Sequence, residues 1–433
     1  MTATQPELAA PSVRQLVLLS IPAVVVGVVS ALALWAIEAL AGLVEDGVWT
    51  NLPKALGIDP SSGWWIFAVL TVTGAAVGLT VWLVPGHAGP DSATTELVAP
   101  PLRPAVVPSL ALATVLGLAG GVSLGPENPI IAINISLMVA LVGRLWKAVP
   151  LQLVLMMAAS GTIGALFGTP VAAALVFTGM VAAIKGGGAL WDKLFLPLVA
   201  AAAGSLTMTL LAHPHFGIPM PAYTTVTGWD VLAAIVLGVI ATAVGLVGVI
   251  VFPLVHRAFH ALRHPLLMTL LGGAVLGGLG ALGGPITLFK GLTQMGQLVT
   301  SRADYSAGQL TLIVLVKLAA LLVAAGAGFR GGRIFPAVFI GAAIGTLANA
   351  LVPGIPIQIA VAAGVMGLTL AVARDGWIAI FIGVAVTQNL LILPILCLAI
   401  LPAWLMVSKA PEMLIKQPVL TPTSPRAAGG AGR

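Results

Sequence analysis

Long apolar runs separated by short polar connections make up almost the whole chain. Runs such as 15–37, 64–83, 232–255 and 389–408 contain no charged residue. Each is long enough to cross a hydrocarbon core, which takes about 20 residues as a helix. Other apolar stretches, 104–120, 128–147, 151–182, 265–283, 334–352 and 355–373, are short or cut by Gly and Pro. Broken helices are tolerated at membrane depth only where protein or a water-filled cavity covers the freed backbone groups. The pattern predicts an all-α, polytopic membrane protein with broken intramembrane helices.

The breaks recur in order. "GVSLGPENP" from Gly121 and "GFRGGRIFP" from Gly328 share G-x-x-x-G-x-x-x-P. Upstream, Gly89-Pro90 in "HAGPDSATTEL" pairs loosely with Gly284-Pro285 in "LGGPITLFKGL". Downstream, "GTIG" from Gly161 pairs with "GVMG" from Gly364. Matching breaks in two halves point to an ion or substrate site. The expected organisation is an N-terminal tail over 1–14 and a first membrane repeat over 15–212. A polar connection over 213–230, a second repeat over 231–409 and a short tail over 410–433 follow. Both tails are expected to be cytoplasmic.

Composition removes the soluble alternative. At 433 residues the length would allow two or three soluble domains. With 59% hydrophobic and 7% charged residues, and a mean hydropathy of +1.11, a soluble fold has too little interior. The opening "MTATQPELAAPSVRQLVLLS" is not expected to be a secretory signal, because the apolar run from Leu16 is too long for one. Cys397 is the only cysteine, so no intramolecular disulfide is possible.

The net charge of +6 is informative through its placement. Arg144, Lys147, Arg257, Arg263, Lys409, Lys416, Arg426 and Arg433 lie in short connections or the C-terminal tail, which puts those segments inside. The connections around 45–59 and 213–230 are mostly acidic and face out. His213 and His215 fall in that second connection. No basic run or basic–aromatic patch supports a nucleic-acid partner. Trp49, Trp64, Trp65, Trp146, Trp191 and Trp229 stand near segment ends, as interfacial belt residues do.

The breaks carry the candidate chemistry. Each offers glycines for close backbone approach and a proline suited to a first helical turn. Helices starting near Asn128 or Pro129, and near Phe335 or Pro336, would leave their first N–H groups unpaired and partly positive. Two such ends meeting at mid-membrane make an anion site from backbone alone. Glu127, set between Pro126 and Asn128-Pro129, can place its carboxylate where an anion would sit. A proton would remove that attraction, making it a protonatable gate. A charged side chain at this depth is a functional candidate by default, and the bland reading is a helix-capping carboxylate. Arg330 and Arg333 flank the second break and suit an anion pathway, or form a salt bridge or reach an interface. Asp91 is placed to cap the helix expected after Pro90; facing the pathway instead, it would attract cations. His256, His260 and His264 share one helix face, where a metal is conceivable. The flanking Arg257 and Arg263 favour a solvated helix end, and no metal or other cofactor is expected.

These residues resemble those of the CLC family of chloride channels and proton-coupled chloride transporters. "GPENP" at 125–129 looks like the family's "GREGP", with Glu127 in the place of its gating glutamate. "GRIFP" at 332–336 looks like "GIFAP", and "GPDSA" at 89–93 lies where the family has "GSGIP". "GALFGTPVAAAL" at 164–175 resembles the helix that follows the gate. The resemblance implies two inverted repeats, a homodimer in the bacterial inner membrane, and one anion pathway per subunit. It implies an anion site from Gly89, Pro90, Asp91, Gly125, Pro126, Asn128, Gly332, Arg333, Ile334 and Phe335. The partners are then a small inorganic anion such as chloride or another halide, protons, and the lipid bilayer. Three family positions differ: the central serine falls on Pro90, its partner tyrosine around Met413, and the inner glutamate near Met180. The loss of that inner carboxylate favours a passive, pH-sensitive pathway. A cation- or proton-coupled transporter using Glu127 and Asp91 is the alternative, and an intramembrane enzyme on the histidine face is a second.

Overall fold

The computed structural model describes residues 11–182, 188–212 and 216–416. His213, His215, Arg426 and Arg433 lie outside the described residues. In chain order the helices are α1 (Val13–Asp46), α2 (Leu52–Leu56), α3 (Gly63–Leu83), α4 (Val107–Ala119), α5 (Glu127–Leu145), α6 (Leu151–Phe167), α7 (Pro170–Ala182) and α8 (Leu190–Ala212). The second set is α9 (Gly228–His260), α10 (Pro265–Gly283), α11 (Leu292–Thr300), α12 (Ala307–Gly326), α13 (Ile334–Leu351), α14 (Ile357–Ala373), α15 (Gly376–Thr387) and α16 (Leu393–Val407). Among the described residues, nine spans are long and apolar enough to cross a membrane.

Their ends are set locally. Ser12 and Ser306 start α1 and α12 through capping boxes with Gln15 and Gln309, and Thr227 starts α9 in the same way with Asp230. Tyr223 donates to Asp230, and burial, with this contact, pushes the Tyr223 phenol up from its ordinary range.

Because lipid tails are as apolar as leucine, small residues and close backbone approach hold such helices together. Helix α3 lies antiparallel to α10, and a Cβ on Gly74 would come within 2.2 Å of the Thr269 carbonyl oxygen. A Cβ on Gly364 in α14 would meet the Gly341 carbonyl of α13 at the same distance, 2.2 Å.

The two halves are inverted, and the contacts show it. Helix α12 ends at Gly326 beside His256, at the end of α9 that Arg257 and Arg263 assign to the inside. It therefore starts on the outer side, where Arg302 donates to the carbonyl of Asn349 near the end of α13. So α13 runs from the middle outwards. Helix α5 runs the other way, from the middle inwards to Arg144: its Ser136 accepts from Leu102 N–H in the inner connection after α3. The Gly125–Gly332 antiparallel bridge joins the two breaks at the centre.

Lys317, in the middle of α12, is fully buried. Its ammonium donates to the carbonyls of Thr287, Leu288 and Phe289 at 3.0, 2.9 and 2.6 Å. These are the carbonyls of the irregular turn between α10 and α11. Replacing Lys317 with Met strands all three acceptors in a dry interior. A loss of about 2–4 kcal/mol is expected, because each unsatisfied buried group costs about 1–3 kcal/mol and the relief of no longer burying an ammonium offsets part of the sum. A lowered thermal midpoint of the detergent-solubilised protein checks it.

Candidate anion site and its gate

Both breaks place their proline alike. Helix α5 begins at Glu127 with Pro126 as N-cap, and α13 begins at Ile334 with Arg333 as N-cap. Each helix thus starts one residue before the expected position. Pro129 and Pro336 sit third in their helices, where a missing N–H costs nothing because that donor has no intrahelical partner anyway.

Between the two helix starts, Gly125 and Gly332 exchange backbone hydrogen bonds of 2.9 and 2.6 Å. The Glu127 carboxylate lies against this bridge, 1% exposed. Oε1 accepts from the Phe335 N–H at 2.9 Å. The N–H groups of Ile334 and Glu127 itself also act on the carboxylate. Oε2 has no hydrogen-bond partner. A Cβ on Gly125 would stand 2.0 Å from Oε2, and one on Gly332 2.1 Å from it. The two glycines are therefore the floor of a cradle that a carboxylate fills. Phe335, beside Gly125, belongs to a cluster of four aromatic rings. Phe167 lies 5.4, 5.9 and 6.0 Å from Phe216, Phe335 and Phe381, centroid to centroid.

Outside this cradle lies a cavity of about 260 Å³ lined by Glu38, Phe216, Lys290 and Phe335. Lys290 pairs with Glu38 at 2.5 Å and stands 5.9 Å above the Phe335 ring. Inside lies a cavity of about 430 Å³ lined by Asn128, Arg333, Ile334, Arg374, Glu96 and Glu412. Arg333 Nη2 and Asn128 Nδ2 both donate to the Thr95 carbonyl, while Arg333 Nη1 is buried and unpartnered. Neighbours of Glu127 thus line both cavities, Asn128 and Ile334 the one and Phe335 the other, and each has a cation in its wall.

The remaining sequence candidates lie further off. Among the described residues Arg330 makes no salt bridge; its guanidinium donates to the carbonyls of His87, Ala88, Gly89 and Gly328. Residues 86–89 all have positive φ, a costly run for His87 and Ala88, and Arg330 collects the carbonyls this turn exposes. No α-helix follows Pro90, because residues 91–95 form a turn. Asp91 caps that turn, its Oδ1 accepting from Ala93 and Thr94 N–H at 3.1 Å each. Gly89, Pro90 and Asp91 line an inner cavity beside His260, and Pro90 also lines a small cavity with Asn128 and Pro129. His264 leaves the histidine face: α9 ends at His260, and His264 packs on Trp82.

Ser92, which sequence reasoning passed over, ties the breaks together. Its hydroxyl donates to the Phe329 carbonyl at 2.7 Å and accepts from Gly331 N–H at 2.9 Å. Glu38, Lys290 and Lys317 were missed as well. Each is a lone charge within or beside an apolar run, the signal that singled out Glu127.

The family model described as "Voltage gated chloride channel" matches residues 72–408. The chain belongs to the voltage-gated chloride channel (CLC) family. It is 46% identical over 414 residues to "Putative ion-transport protein YfeO" of Escherichia fergusonii, covering 95% of this chain and 98% of that protein. The same identity and coverage relate it to the protein of that name from Escherichia coli K12. Solved structures share the fold. A slow cyanobacterial Cl−/H+ antiporter matches with TM-score 0.77 at 18% identity, covering 90% of this chain and 94% of that one. A CLC-type fluoride/proton antiporter matches with TM-score 0.69 at 19% identity, covering 93% and 98%. The CLC membership and this fold support anion transport through a CLC-like pathway in a multi-pass membrane protein. Members of the CLC family are transporters or channels. Met180 and Met413 both line the inner cavity.

Proposed function

We propose that the chain passes small inorganic anions, chloride or another halide, across a bacterial inner membrane as a homodimer, with Glu127 as a protonatable gate in each subunit. One observation carries the reading: the Glu127 carboxylate fills the cradle of Gly125 and Gly332 and accepts from Phe335 N–H. A backbone cradle at a helix start suits a free anion as well as a tethered one. Deprotonated, Glu127 competes with the anion for these donors. Protonated, it loses the charge that holds it there, and the cradle is free for an ion entering from either cavity. The relatives' names and the antiporter neighbours agree with this reading.

Anion efflux from liposomes, native against Glu127→Gln, at acid and neutral pH, tests it. Chloride, nitrate and fluoride would be compared, with proton movement recorded alongside. Proton-coupled exchange is the second reading, favoured by Glu96 and Glu412 in the inner cavity beside Asn128. Proton flux that tracks anion flux in the native protein would select it over a passive pathway.

Lys290 supplies the positive charge at the outer cavity, and Glu38 neutralises part of it. Lys290→Met is expected to lower anion flux by about three- to tenfold, and Glu38→Gln to raise it, as charge in a confined mouth sets the local ion concentration. Equal flux in both variants would remove this pair from the pathway.

A further inference from the structure

The Asp91 turn meets the end of α9 in a cluster that the anion pathway does not use. Asp91 Oδ2 lies 3.1 Å from His260 Nε2 and 4.0 Å from His256 Nε2. The three ligand atoms all lie within 4.8 Å of one another. The two imidazoles are stacked, their centroids 3.7 Å apart. They stand one turn apart on α9, so one helix face presents both nitrogens to one carboxylate.

The hydrogen bonds leave this cluster one cation short. His260 Nδ1 lies 3.0 Å from the His256 carbonyl, which can only accept, so Nδ1 carries a proton. In the neutral ring Nε2 is then a lone pair, and it faces a carboxylate oxygen at 3.1 Å. Two acceptors at that distance repel unless something positive lies between them. His256 Nε2 is buried and, among the described residues, has no hydrogen-bond partner either. A proton on His260 would satisfy one contact. A metal ion would satisfy all three ligand atoms.

We propose that Asp91, His256 and His260 form a binding site for a divalent cation of the zinc class at the inner face. Two imidazole nitrogens and one carboxylate oxygen, with a fourth position open, suit Zn²⁺ and its first-row neighbours rather than Ca²⁺ or Mg²⁺, which take oxygen ligands. The supporting shell is present. The His256 carbonyl orients the His260 ring, and Ala93 and Thr94 N–H groups hold the other Asp91 oxygen. The C-terminal end of α9 adds its partial negative charge. Arg330 and Lys416 line the same cavity and oppose it, but the Arg330 charge is engaged by four carbonyls and Lys416 pairs with Glu412. That cavity, about 490 Å³, provides the route in.

An ion here would lock the turn over 91–95. Next to Asp91, Ser92 holds Phe329 and Gly331, and the Thr95 carbonyl holds Asn128 and Arg333. Occupancy is therefore expected to slow anion flux. That effect rests on the proposed anion pathway, whereas the binding does not.

The test uses the purified, chelator-stripped full chain in detergent, titrated with Co²⁺ and with Zn²⁺. The native protein is expected to bind one Co²⁺ per chain with the intense visible absorption of a tetrahedral site, displaced by Zn²⁺, and to melt at a higher temperature with Zn²⁺. His256→Ala is expected to weaken binding at least about tenfold, within the range that even supporting residues of metal sites reach. It leaves the His260–Asp91 contact in place, so folding should survive. His264→Ala, outside the cluster, should bind as the native protein does. Absence of stoichiometric Co²⁺ binding in native protein, or equal binding in His256→Ala and native protein, would overturn the site. Binding without any change in flux would leave the site standing and count against its link to the pathway.

Discussion

Replacing Glu127 with glutamine is expected to remove the pH dependence of anion flux and hold the protein open. In the native protein the ionised carboxylate occupies the cradle and blocks it, so flux is low when the group is charged and rises as pH falls. Above the gate's own pKa, flux should increase about tenfold for each unit of acidification, because the protonated fraction does, and then level off below it. Glutamine keeps the shape but carries no charge at any pH. Its flux should be flat and close to the acid plateau of the native protein. Efflux from liposomes over a series of pH values measures both curves. If the variant rises with acid as the native protein does, another group is the gate.

Gly332→Ala is expected to have the second largest effect, through contact alone. The new methyl would stand 2.1 Å from Glu127 Oε2 and 2.5 Å from its carboxyl carbon. The backbone at Gly332 lies outside the left-handed region, so the substitution brings no strain of its own. The carboxylate has to leave the cradle or the bridge has to open. Overpacking of this kind costs about 1–3 kcal/mol. The variant should therefore melt lower and leak anions at neutral pH. Adding Glu127→Ala removes the obstructing group, and the double variant should recover stability by about 1 kcal/mol or more relative to additivity. Strict additivity in thermal unfolding would mean that carboxylate and glycine do not meet.

Particular residues show how far the sequence could be followed. The two G-x-x-x-P breaks stood out because glycine and proline punctuate helices by local sterics, and both helix starts appeared within one residue of expectation. Glu127 stood out because a carboxylate in an apolar run is costly. Lys290, Glu38 and Lys317 carried the same signal, but their partners lie far along the chain: Glu38 meets Lys290, and Lys317 meets the carbonyls of 287–289. Asp91 was read through its neighbours as a helix cap. It caps a turn, and its second oxygen turns to histidines on another helix.

The class of the molecule follows from the order of residues alone: membrane-spanning helices, two breaks, and a carboxylate at one of them. Hydropathy and backbone sterics act over a few neighbouring residues, so one pass along the chain suffices to read them. That the breaks meet, that Gly125 pairs with Gly332, and that the Phe335 N–H from the second half holds the Glu127 carboxylate of the first emerges from the packing of the folded chain. Unpaired backbone groups at the centre of a membrane must find partners, but which ones they find depends on how the inverted halves pack.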